Sequence, residues 1–148
     1  MDQRETSGIG EATLDALLGA VIELRVPADA GQLFLVRLLA EGIAARADFD
    51  LDGIADMKMA VDEVAASLVE QADPGAQLEF RFRTFDNEVT VSISTAARNG
   101  EIPNTQTFGW HVLTTLTDSV SALAEAPPTG RSCVMRIEFT MRARAVPM

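Results

Sequence analysis

Residues 54–72 read IADMKMAVDEVAASLVEQA, and this stretch decides the fold. Ala, Met, Glu, Leu, Lys and Gln fill it, with no Gly or Pro inside, a composition of strong helix formers. Apolar side chains fall at Ile54, Met57, Val61, Val64, Leu68 and Ala72. That is the spacing of one buried helical face, and it predicts a long helix over 54–72. Its centre, Ala60-Val61-Asp62-Glu63, carries two adjacent acids. At about 100° per residue, Glu63 and Ser67 lie within ~40° of each other on a different face from the apolar stripe.

Working outward toward the C-terminus, Asp73-Pro74-Gly75 is a strong turn signal that ends the helix. QLEFRFRT (77–84) and EVTVSIST (88–95) then alternate with period two, the pattern of half-buried strands. Phe85-Asp86-Asn87 joins them as a hairpin. Leu78, Phe80 and Phe82 share one face, and Val89, Val91 and Ile93 share the matching one. Residues 96–106, AARNGEIPNTQ, are small, polar and turn-rich, and read as a loop. FGWHVLTTL (108–116) supports a short helix, and 119–123 a strand. Ala126-Pro127-Pro128-Thr129-Gly130 is a turn before a final alternating strand over 131–141.

Toward the N-terminus, Ala47-Asp48-Phe49-Asp50 forms the turn into the long helix. The run LFLVRLLA (33–40) is apolar nearly all round, with Arg37 its only charge. Such a helix is buried on more than one side or forms an interface. Arg37 either simply reaches solvent or contacts a partner. Asp29, with Gln32 three residues on, is a loose capping box, and VIELRVP (21–27) reads as a first strand stopped by Pro27. The expected organisation is a flexible arm over 1–18, one domain over 19–142 and a frayed tail over 143–148. Helices grouped on one face of hairpin-connected strands make an α+β two-layer sandwich.

Composition narrows the functional classes. The 148 residues carry 47% hydrophobic and 23% charged side chains, ordinary for one globular domain. No apolar run approaches the roughly 20 residues of a membrane span, and the N-terminus has no basic segment followed by an apolar core. The expectation is a cytoplasmic protein with no membrane partner. A net charge of −10 argues against direct nucleic-acid binding, which needs basic patches, and suits a basic protein partner. The single Cys133 sits in an apolar strand-like run and reads as an inert buried thiol rather than a nucleophile. One cysteine and one histidine, His111, supply no metal cluster.

Three pieces in order carry a family resemblance. They are AVDEV in the long helix, the hairpin directly after it, and Phe108-Gly109-Trp110-His111-Val112-Leu113 leading through Leu116 into Asp118-Ser119-Val120. Together they resemble the histidine-kinase-like ATPase (GHKL, Bergerat) fold, a two-layer sandwich with a mixed, mainly antiparallel sheet and helices on one face. The chain is most similar there to the RsbW/SpoIIAB anti-sigma factors and serine-protein kinases, in their actinobacterial RsbW/UsfX branch. The resemblance covers roughly residues 20–141. It implies sequestration of a sigma factor, release by a STAS-type anti-anti-sigma partner, and a homodimer. It also implies phosphorylation of that partner with ATP and Mg²⁺ if the kinase chemistry is retained.

Carried over residue by residue, the resemblance makes Glu63 the catalytic glutamate, against the alternative of a structural helix glutamate. Ser67 stands where the family has a metal-holding asparagine, and a hydroxyl on a short side chain reaches less far than an amide carbonyl. The family's Asp-x-Gly-x-Gly becomes Thr95-Ala96-Ala97-Arg98-Asn99, so the adenine-reading aspartate and both glycines are replaced. In the second glycine box Gly109 remains and Thr107 stands in for the earlier glycine. Ser67, Thr95, Arg98 and Gly109 are thus the candidate nucleotide-binding positions and Arg37 the candidate partner contact. The expectation is an anti-sigma factor with a degenerate nucleotide site. The alternative is an active ATP-dependent serine kinase.

Overall fold

The computed structural model describes residues 20–97, 106–125 and 133–144. In chain order they form β1 (Ala20–Pro27), a 3₁₀ turn (Ala30–Gln32), α1 (Leu33–Arg46), α2 (Leu51–Gln71), β2 (Gln77–Phe85), β3 (Glu88–Ala97), α3 (Phe108–Leu116), β4 (Ser119–Glu125) and β5 (Cys133–Arg142). The strands make one five-stranded sheet in the order β1-β2-β3-β5-β4. This is the expected α+β two-layer sandwich, with one difference. Every neighbouring pair is antiparallel, where a mixed sheet was expected. The reason is topological: β3 and β4 run the same way across the α3 connection, but β5 sits between them and pairs antiparallel with both.

The period-two alternation decides which face of the sheet is covered. Leu78, Phe80 and Phe82 of β2, Val89, Val91 and Ile93 of β3, and Met135, Ile137, Phe139 and Met141 of β5 are all buried. They meet in register, Phe80 opposite Ile93 and Phe82 opposite Val91, then Val91 opposite Phe139 and Ile93 opposite Ile137. Burying each such side chain contributes roughly 1.5–3 kcal/mol. The hairpin is tighter than the sequence suggested. Phe85 completes β2 opposite Glu88. The turn is Asp86 and Asn87 alone, both at positive φ (51° and 62°), as a two-residue loop between right-twisted strands requires.

α2 starts at Leu51 rather than Ile54. The Asp50 carboxylate accepts a hydrogen bond from the Gly53 N–H at 2.7 Å, an N-cap that adds a first turn outside the apolar stripe. Leu51 in that turn is exposed, so hydrophobic periodicity does not register it. Gly53 fits this corner closely: a Cβ there would stand 3.0 Å from Asp50 Oδ1 and 3.1 Å from Phe49 Cδ2, so those side chains would have to give by a few tenths of an ångström. Met57, Ala60, Val61, Val64, Ala65 and Leu68 form the buried stripe.

α2 packs between α1 and α3 and over β2, β3 and β5, while α3 lies against β4. α1 therefore borders the β1 side of the molecule. It buries Leu33, Val36, Ala40, Ile43 and Ala44 and leaves Phe34, Leu35 and Leu38 exposed at 63%, 54% and 51%. The opposite face of the sheet is polar. It carries cross-strand pairs Arg25–Glu79 at 3.3 Å, Arg81–Glu23 at 3.8 Å and Arg142–Glu88 at 2.6 Å. Contacts continue past β5: the Ala143 N–H donates to Asn87 O at 2.9 Å. No helix among the described residues is long and apolar enough to cross a membrane.

Candidate functional site

The tetrad at the centre of α2 divides its four side chains among three directions. Ala60 and Val61 are buried on the sheet-facing stripe. Asp62 and Glu63, about 100° apart on the helix, leave it on opposite flanks. One reaches α1 and the other α3.

Toward α1, the Arg37 Nε–H donates to both carboxylate oxygens of Asp62, at 2.7 and 2.8 Å. Lys58 and Glu41 repeat the connection one turn away at 3.4 Å. Both side chains of the Arg37–Asp62 pair keep around two fifths of their surface (43% and 37%), so it is a surface pair rather than a core one. Arg37 does reach the surface, but its guanidinium is anchored through one nitrogen. The terminal N–H groups remain for a partner. Arg37 and Asp62 are 25 residues apart in the chain, and no local pattern in the sequence pairs them.

Toward α3, Glu63 meets Gly109. Thr107 caps α3, its hydroxyl accepting the Trp110 N–H at 3.2 Å, and Gly109 follows in the first turn. A Cβ on Gly109 would overlap the Glu63 Oε1 and lie 3.1 Å from its Cδ. Only glycine lets α3 approach this closely with Glu63 where it is. The half-buried carboxylate thus sits against the N-terminal turn of α3, where the helix dipole favours negative charge.

The remaining candidates are dispersed. Ser67 is half-buried one turn beyond Glu63 on α2. Thr95 is buried, and its hydroxyl donates to the Gln77 carbonyl at 2.9 Å, which ties the end of β3 to the start of β2. Arg98 lies outside the described residues. His111 is exposed on α3 and Cys133 half-buried at the start of β5.

Among the described residues this set does not fit ATP and Mg²⁺. Phosphates need unoccupied backbone amides at a helix N-terminus, and the Glu63 carboxylate already stands against that turn. Thr95 is buried and gives its one hydroxyl proton to the Gln77 carbonyl, with no carboxylate at that position, and Ser67 offers a short hydroxyl where an amide carbonyl would hold a metal.

No family model matches the chain. Among solved structures, the histidine kinase domain of the blue-light activated histidine kinase from Erythrobacter litoralis EL346 aligns with 86% of this chain and 71% of its own, at a TM-score of 0.44 and 14% identity. Among curated proteins, the serine-protein kinase RsbW of Bacillus subtilis is 32% identical over 76 residues, 49% of this chain and 48% of that protein. The anti-sigma-F factor RsbW of Mycobacterium tuberculosis H37Rv is 35% identical over 125 residues, 84% of this chain and 74% of its own. At that identity and coverage, the chain belongs to the RsbW family of anti-sigma factors.

Proposed function

We propose that the protein is an anti-sigma factor that sequesters an alternative sigma factor by protein–protein contact. A STAS-type anti-anti-sigma partner releases it, and the protein works as a homodimer. The observation that carries the reading is the outer surface of the α1–α2 pair. Exposed Phe34 and Leu38 and, one turn before Asp62, exposed Met59 surround an Arg37 held in place by Asp62. An anchored arginine amid exposed apolar side chains has the composition of a binding hot spot. The Arg37–Asp62 pair contributes little to stability, because exposed pairs are worth about 0–1 kcal/mol.

The test is titration with the sigma factor encoded alongside. Micromolar or tighter binding is expected, and Arg37→Ala should weaken it at least tenfold with the melting temperature nearly unchanged. A folded protein that does not bind at micromolar concentration refutes the reading.

The retained Glu63 keeps a second reading in view, an ATP-dependent serine kinase acting on the anti-anti-sigma partner. Calorimetry with ATP and Mg²⁺ separates the two. The proposal expects neither heat nor a thermal shift at millimolar nucleotide. Clear binding, with phosphotransfer abolished by Glu63→Gln, would favour the kinase.

A further inference from the structure

α3 turns two faces to different surroundings. Leu113 is buried and Gly109 and Trp110 half-buried against the rest of the protein. On the other face Phe108, His111, Val112, Thr115 and Leu116 line a shallow groove of about 210 Å³ whose surface is almost wholly apolar. These residues fall at i, i+3, i+4, i+7 and i+8, one continuous stripe along the helix. Phe108, at the head of the stripe, is 83% exposed.

The foot of this groove meets the end of β5. Thr115 and Leu116 also line a second cavity, of about 180 Å³, between the start of α2, the end of α3 and the end of β5, and Met141, Arg142 and Arg144 line it with them. The chain is held as it arrives there. The Arg142 N–H donates to the Asp118 carboxylate at 2.8 Å. The Ala143 N–H donates to Asn87 O at 2.9 Å. The Arg144 guanidinium then reaches Asp56 of α2 at 3.8 Å, which draws residue 144 to the helical layer. Residues 145–148, Ala-Val-Pro-Met, come next, and none of them has a polar side chain.

Length and local conformation match the groove. Val146 precedes a proline, which confines it to extended backbone. In an extended segment Val146 and Met148 project to one side, about 6–7 Å apart. Residues one turn apart, such as Leu116 and Val112, stand about 6 Å apart along a helix axis. Four extended residues reach roughly 13 Å, and the helix from Leu116 to Phe108 is about 12 Å long. A thioether is also suited to the edge of an aromatic ring, and Phe108 supplies one.

The other stretches outside the described residues join the fold elsewhere or differ in character. Residues 1–19 lead into β1, at the edge of the sheet remote from β4, against which α3 lies. Residues 126–132 connect β4 and β5 at the opposite end of that pair from Arg142. Residues 98–105 read RNGEIPNT, with Ile102 their one large aliphatic side chain.

We infer that residues 145–148 form a strap over α3, turning back from Arg144 to lay Val146 against Leu116 and Met148 between Val112 and Phe108. The strap holds α3 from outside, while Glu63 meets its inner side at Gly109.

Cysteine pairing in the full chain, in a Cys133→Ser background, tests the strap. Met148→Cys with Val112→Cys should give an intramolecular disulfide under mild oxidation, because facing side chains bring their Cβ atoms to the roughly 4 Å that the bond requires. Met148→Cys with Thr114→Cys should not, since residue 114 lies about 160° round the helix from 112. No disulfide at 112, or equal yields at 112 and 114, overturns the strap. A disulfide between two chains also overturns it, by giving the groove to a second copy. Independently, Val146→Asp with Met148→Asp should speed amide exchange across α3 at least tenfold and leave the β2–β3 hairpin unchanged. Unaltered exchange in α3 refutes the strap as well.

Discussion

The contact between Glu63 and Gly109 can be measured by a double-mutant cycle. Alanine at Gly109 gains helix propensity, up to about 1 kcal/mol at an interior position and less in a first turn. In the wild-type protein that gain is offset, because a Cβ would overlap the Glu63 carboxylate. The carboxylate is the far end of a flexible side chain, so it swings aside rather than forcing α3 away. What is lost is its interaction with the α3 N-terminus, about 0.3–1 kcal/mol. With Glu63→Ala in place the obstruction is gone: the three atoms nearest to that Cβ all belong to the Glu63 side chain beyond its Cβ. Gly109→Ala should therefore be near neutral in the wild type and stabilising by roughly 0.5–1 kcal/mol in the Glu63→Ala background. The coupling should be of order 0.5–1 kcal/mol. Urea denaturation of the four proteins at low and high salt reads it, and salt should shrink the part due to the dipole. An effect of Gly109→Ala that is the same in both backgrounds refutes the reasoning and returns Glu63 to solvent.

Two further predictions concern the frame around the site. Asp50→Ala removes the acceptor of the Gly53 N–H and should cost about 1 kcal/mol by chemical denaturation, with the loss of helicity confined to the first turn of α2. Thr95→Val keeps the shape of a buried side chain while removing its hydrogen bond to Gln77 O. It should cost roughly 1–3 kcal/mol, because the Gln77 carbonyl then loses a partner, and it should leave sigma-factor binding unchanged if Thr95 serves only the sheet.

The parts of the fold that declared themselves in the sequence are those governed by local periodicity. Met57, Val61, Val64 and Leu68 mark the α2 stripe because one face of that helix meets the sheet. The alternation in residues 77–84 and 88–95 survives as buried and exposed positions because one face of the hairpin is covered. Boundaries set by capping were harder to place: the first turn of α2 depends on Asp50 and Gly53 rather than on apolar spacing. The site was legible in residue types and not in contacts. Nothing local in the chain links Arg37 to Asp62, or Glu63 to Gly109. Those pairs exist because α2 is flanked by two other helices, and a side chain's flank decides which one it meets. The antiparallel character of every strand pair was equally hidden, since it depends on where β5 inserts.

The position of β1 also bears on how the chain reaches its native state. Its residues 20–27 pair with residues 77–84, so the strand closes only after the whole α1–α2 segment has been looped out. The β2–β3 hairpin closes over two residues. Contacts of large sequence separation carry the entropy of loop closure before they return any energy. β1 should accordingly be a late arrival in folding and the first strand to detach in native-state hydrogen exchange. An anti-sigma factor whose edge strand comes and goes would be cut by a protease first at β1, well before the β2–β3 hairpin opens.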